Sequence, residues 1–129
     1  MAIKKLLSIC FDTKNLKITI MVLKKLKQYT IRVEYENEVE KIKESNHEVS
    51  YDFVYYLSDL IEKAKLDEIN SQDMALGYLE VYFGEDDYLP CYFSSEDIQN
   101  NKELYNLIHS LLPFVGEGED DINKMISLS

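Results

Sequence analysis

Residues 77–93, GYLEVYFGEDDYLPCYF, carry the sharpest hydrophobic pattern in the chain. Leu79, Val81 and Phe83 alternate with Tyr78, Glu80 and Tyr82. Beyond the turn Gly84-Glu85-Asp86-Asp87, Leu89, Cys91 and Phe93 alternate with Tyr88, Pro90 and Tyr92. Period-two alternation on both sides of a short polar turn predicts a β-hairpin with an acidic tip. Leu79, Val81, Phe83, Leu89, Cys91 and Phe93 share one face, expected to meet the core. The tyrosines and Glu80 line the other. Pro90 has no backbone donor, so its strand is expected at a sheet edge or at a bulge.

An earlier stretch repeats the pattern. Leu16, Ile18, Ile20 and Val22 alternate, and Tyr29, Ile31, Val33 and Tyr35 alternate with Thr30, Arg32, Glu34 and Glu36. The two runs predict an antiparallel hairpin over 16–36, joined through the polar segment 24–28. A helix over 14–27 competes for its first half, because Leu16, Ile20, Leu23 and Lys27 share a helical face. Residues 1–12 are expected as a loosely ordered arm or short strand. Val39 and Ile42 extend the hairpin or begin a new strand, and Ser45-Asn46-His47 reads as a loop.

The period then changes. Phe53, Val54, Leu57, Leu60, Ile61 and Ala64 form the stripe of an amphipathic helix over about 51–65, with Ser50 as its cap. Residues 67–74 read as loop. Ser94 and Asp97 have capping-box spacing ahead of a second helix over about 95–112, which Pro113 stops. Residues 114–129 form a hinge at Gly116–Gly118 and a short terminal helix. The whole is expected to be one α+β domain: a small antiparallel sheet of about four strands packed against two helices.

Charge adds a second pattern. The chain of 129 residues carries a formal charge of −10. Residues 1–33 hold eight bases against Asp12 alone, a charge of +7, and the remainder holds six bases and 23 acids, a charge of −17. An acidic surface of this size repels nucleic acid and anionic membrane and favours a basic partner. Part of the basic segment is expected to pair internally. Cys10 and Cys91 lack metal or redox spacing, which suits a reduced, cytoplasmic protein. The first residues lack the length and cleavage site of a signal peptide.

Catalytic chemistry finds no support in the pattern. The histidines are His47 and His109, and neither has a nucleophile at matched spacing. Glu85-Asp86-Asp87 and Glu119-Asp120-Asp121 lack the alternate-residue ligands of a calcium loop and read as turn punctuation and a helix start. No glycine-rich loop opens a helix. No enzyme activity, cofactor or metal is expected.

What remains is a surface for a partner. Glu34, Glu36, Glu38 and Glu40 recur at every second residue, so a continuing strand spaces them roughly 6.6 Å apart on one face. That is about twice the ~3.4 Å rise per phosphate of one DNA strand. The plainer reading is a solvated strand face, paired with the Lys24–Lys27 cluster. Glu80, Glu85, Asp86 and Asp87 lie on the later hairpin beside Tyr82 and Tyr88, and tyrosine is an efficient interface anchor. Several tyrosines, notably Tyr55 or Tyr56 and Tyr105, are equally suited to completing the core. In overall character the chain looks like two groups of small inhibitors. One is the immunity proteins that occlude a toxin nuclease. The other is the phage anti-defence proteins, for example those that mimic nucleic acid against a CRISPR nuclease. The likeness is one of size, charge and fold class, without a motif. A structural or self-associating domain, built on the Pro90 strand and the tyrosine face, is the reading from another class.

Overall fold

The computed structural model describes residues 3–13, 16–37, 41–84, 87–116 and 118–127, with the backbone alone at 41 and 42. Six strands form one antiparallel sheet. They are β1 (Lys4–Asp12), β2 (Lys17–Lys25), β3 (Gln28–Glu36), β4 (Lys41–Val49), β5 (Gly77–Tyr82) and β6 (Tyr88–Phe93). Their order across the sheet is β4-β3-β2-β1-β5-β6. Four α-helices follow or interrupt the strands: α1 (Tyr51–Ala64), α2 (Ser95–Asn100), α3 (Lys102–Leu111) and α4 (Glu119–Ser127). The α+β class and both hairpins hold, and the sheet is larger than the expected four strands.

The two added strands explain themselves physically. β1 is central, with β2 on one side and β5 on the other. Its Leu7, Ile9 and Phe11 are buried, so the N-terminal segment is the sheet's spine and not an arm. β4 is an edge strand whose described side chains are mostly exposed. It therefore shows no alternation, and its nine residues are held by backbone pairing with β3 from Tyr29↔Val49 to Glu36↔Lys41. Ser45-Asn46-His47 lies inside that strand, not in a loop. Charged residues along β4 also discourage edge-to-edge pairing with another chain.

β2 settles the competition over residues 14–27 in favour of a strand among the described residues. Its run Ile18–Leu23 is apolar at nearly every position. Ile18, Ile20 and Val22 join the main core, while Met21 and Leu23 are buried on the opposite face, outside that core. Leu26 and Lys27 form the two-residue turn to β3, in which Lys25 pairs with Gln28. Leu26 sits in the left-handed region at φ 57° and is 63% exposed. A leucine there pays for its Cβ, whereas asparagine tolerates it. Leu26→Asn is expected to raise stability by about 0.5–1 kcal/mol, read as a higher urea midpoint at unchanged slope.

The helices lie on one face of the sheet. Val54, Leu57, Leu60 and Ala64 of α1 and Leu104, Leu107, Ile108 and Leu111 of α3 bury against Leu7, Ile9, Ile20, Val22, Ile31 and Val33. Ser50 caps α1 by accepting from Phe53 N, and Lys65 ends it in the left-handed region. The single helix expected over 95–112 is broken at Asn101, which adopts an extended backbone. The Asn101 amide oxygen accepts from Leu104 N, and its nitrogen donates to Ala64 O at the end of α1. One side chain thus starts α3 and closes α1. The Ser94–Asp97 capping box forms, and Asp97 also accepts from the Ser71 hydroxyl at 2.6 Å. Burial pushes the Asp97 carboxyl up. Its bonds from Ser71 and Ser94 outweigh that and hold it below its ordinary value. Pro113 falls in a 3-10 turn, Leu112–Phe114, as the helix stop requires.

Candidate functional site

The sheet face away from the helices is open, and β5 and β6 furnish its most organised part. Register places Tyr78 opposite Tyr92, Glu80 opposite Pro90 and Tyr82 opposite Tyr88. The ring centroids of the first pair are 4.5 Å apart and those of the last pair 5.6 Å. Along β5, residues 78, 80 and 82 share a face. The Tyr78 hydroxyl donates to Glu80 Oε2 at 2.8 Å, and the Tyr82 hydroxyl donates to Glu80 Oε1 at 2.5 Å. Pro90 is short, so nothing on β6 reaches across the carboxylate from the opposite position. The result is one negative charge, fixed at both oxygens and framed by four rings.

This frame leaves a titration signature. Burial, then the hydrogen bond to Glu80, then the glutamate's charge push the Tyr82 hydroxyl up to about 12. The same causes in the same order push Tyr78 up further. Both hydroxyls hold a proton that an unfolded chain gives up near pH 10. Their contribution to stability is therefore complete below pH 10 and falls as pH rises, that of Tyr82 through about 12 and that of Tyr78 at still higher pH. Wild type should lose urea stability over that window, and the Tyr78→Phe/Tyr82→Phe double variant should lose less.

The other expected site residues divide. Glu34 and Glu36 lie on the same open face, near the far end of β3. Glu34 shares a cross-strand row with Thr19, Cys10 and Tyr78, three strand spacings or about 14 Å from β5. β3 ends at Glu36, which stands in register with Lys17 and Lys41. Glu38 and Glu40 lie outside the described residues. The Lys24–Lys27 cluster sits at the opposite end of β3 from Glu34 and Glu36, so it does not pair with them. At the hairpin tip, Asp87 is exposed and its carbonyl accepts from Phe83 N, while Glu85 and Asp86 lie outside the described residues. The structure thus groups Glu80, Tyr82 and Tyr88 closely, adjoins Asp87 to them, and sets the β3 glutamates apart.

Some expectations reverse. Phe83 follows the core-facing parity of Leu79 and Val81, yet it is 69% exposed, because β5 ends one residue earlier. Tyr55, Tyr56 and Tyr105 do not complete the core, since all three are exposed. Tyr55 instead follows Tyr29 and Tyr51 in a chain of ring contacts at 5.9 and 6.3 Å. His109 stacks on Tyr105 at 3.9 Å, and His47 rests on Phe114 at 5.5 Å. Cation contacts also escaped the sequence reading, among them those of Lys5 and Arg32. Lys5 Nζ lies over the Tyr82 ring at 5.4 Å, and Arg32 binds Glu44 at 3.2 Å and Asn46 at 2.9 Å. Neither had a local signal, because both contacts depend on strand order and register.

β6 is an edge strand, as Pro90 implied, and its edge is partly covered. Ser71 N donates to Tyr92 O on that edge, while Leu76 N, just ahead of β5, donates to Phe93 O on the β5 side. Both cysteines are free. Burial raises the Cys91 thiol to about 11, with Asp97 adding to the effect. Among the described residues no group of three His, Cys, Asp or Glu side chains converges as a metal-ligand set, and no helix is long and apolar enough to cross a membrane. No protein-family model, no curated protein and no solved structure matches this chain.

Proposed function

We propose that this chain acts by binding, as a small acidic inhibitor whose open sheet face occludes the active site of a basic protein. The observation that carries the reading is the Glu80 carboxylate held by two tyrosine hydroxyls within a frame of Tyr78, Tyr82, Tyr88 and Tyr92. Such a frame suits a lysine or arginine side chain. The cation meets a fixed negative charge, and its stem and head lie against ring faces. Basic side chains that hold RNA or DNA are the ones such a surface displaces, so a nuclease is the target class. An immunity protein facing a toxin nuclease is the setting adopted here, and a phage anti-defence protein would use the same surface. The acidic surface repels nucleic acid and anionic membrane.

Charge reversal at the hairpin tip tests it. The partner is first captured on immobilised protein and identified. Glu85, Asp86 and Asp87 are then changed together to lysine. Partner binding is expected to fall by more than about tenfold, because like charges now meet, with little change in stability at the exposed Asp87. Unchanged affinity would remove the tip from the interface and leave the β3 glutamates as its acidic part.

A further inference from the structure

A pocket of about 460 Å³ opens on the helix side of the sheet, between α1 and the end where β1 begins and the β5–β6 hairpin turns. Leu7, Val22 and Val81 contribute from the sheet, and Leu57 and Ile61 from α1. The lining is mostly apolar, with Ser58 and Tyr82 adding hydroxyls. Glu62, Lys65 and Asp67 stand exposed at the rim. No buried side-chain nitrogen or oxygen among the described residues lacks a hydrogen-bond partner, so the pocket offers no unmet polar demand that water would satisfy.

The size is informative. An apolar cavity of about 150 Å³ stays dry and accepts benzene, and this pocket is about three times as large. It falls within the roughly 300–1,000 Å³ range of small-molecule sites, which are mostly apolar with a few polar groups at their margins. Protein cores ordinarily close such space with side chains. Here Phe83, on the parity that faces the pocket, lines its mouth while remaining 69% exposed. An aromatic ring is available at the opening and does not fill it.

We propose that the pocket is a binding site for a hydrocarbon group, either a small apolar molecule or the tail of an amphiphile whose head stays at the charged rim. Phe83 covers the bound group. Most of the lining belongs to the helix side of the sheet, and Tyr82 of the tyrosine frame also borders the pocket; the proposal does not depend on the inhibitor reading. The probe is N-phenyl-1-naphthylamine, titrated by fluorescence into the full chain. Saturable one-to-one binding with enhanced emission is expected. Displacement by decane-like alcohols points to an apolar molecule. Stronger displacement by decanoate or by decyltrimethylammonium points to an amphiphile and gives the sign of its head. Ile61→Trp, which adds bulk at the wall, should abolish the signal. Phe83→Ala, at an exposed position that leaves folding intact, should weaken it by about tenfold, the effect of removing one apolar contact from a ligand pocket. The proposal is overturned by absence of saturable binding, by a signal that survives Ile61→Trp, or by equal or tighter binding in Phe83→Ala. The last result would make Phe83 the pocket's own plug.

Discussion

Replacing Phe93 with alanine is expected to cost about 3–5 kcal/mol, the usual range for a fully buried phenylalanine. Phe93 is 0% exposed at the end of β6. Its ring meets that of Phe11 edge-on, with centroids 5.8 Å apart and planes at 74°. It also lies directly over Gly77, where an added Cβ would stand 2.7 Å from Phe93 Cζ and 2.9 Å from the Cys10 carbonyl oxygen. The ring thus joins β6, β5 and β1 at one point. Chemical denaturation of Phe93→Ala against wild type measures the loss. A cost below about 1.5 kcal/mol, the range of volume-conserving core changes, would mean that this end of the sheet is not packed as described. Gly77→Ala should err in the opposite sense, destabilising by overpacking at about 1–3 kcal/mol.

The legibility of this fold followed burial. α1, α3, β3 and the β5–β6 hairpin bury one side more than the other, so their periods were visible, whereas β2 buries residues on both faces. β4 exposes most of its described side chains and exists through backbone pairing, which leaves no trace in a hydrophobic pattern. β1 alternates only over Leu7–Asp12, with Leu7, Ile9 and Phe11 buried between Ser8, Cys10 and Asp12, a run too short beside Leu6 and the lysines to tell a strand from an arm. The break at Asn101 joins a local signal, an asparagine cap on Leu104 N, to a hydrogen bond reaching Ala64 O 37 residues away, and the apolar stripe running through 98–112 masked the local one. At the site, parity alone placed Tyr78, Glu80, Tyr82, Tyr88 and Tyr92 on one face. Hydrogen bonding of both Glu80 oxygens, and the distance from Glu34 and Glu36 to that frame, required the register.

The second large effect is on binding. Under the inhibitor reading, Glu80→Lys combined with Tyr82→Ala removes the fixed charge and one wall of the frame. Truncating a central tyrosine anchor typically costs 2 kcal/mol or more, roughly 30-fold in affinity. Reversing the charge beside it adds to this. The pair is therefore expected to weaken the partner complex by at least about 100-fold. Stability should fall only modestly, because the residues lie on the open face and outside the main core cluster. Glu34→Lys, about 14 Å away, should change affinity much less. Equal losses from Glu34→Lys and Glu80→Lys would spread the interface over the whole face. A loss confined to Glu34→Lys would transfer it to the β3 end.

The association rate with the captured partner, followed from low to high ionic strength, tests the central claim most directly. Electrostatic steering of an acidic face toward a basic cleft predicts a fast rate at low salt that falls steeply as salt rises, with a shallower fall for Glu80→Lys. A rate indifferent to salt, or a chain that forms a stable dimer through this face and captures no basic partner, would contradict it.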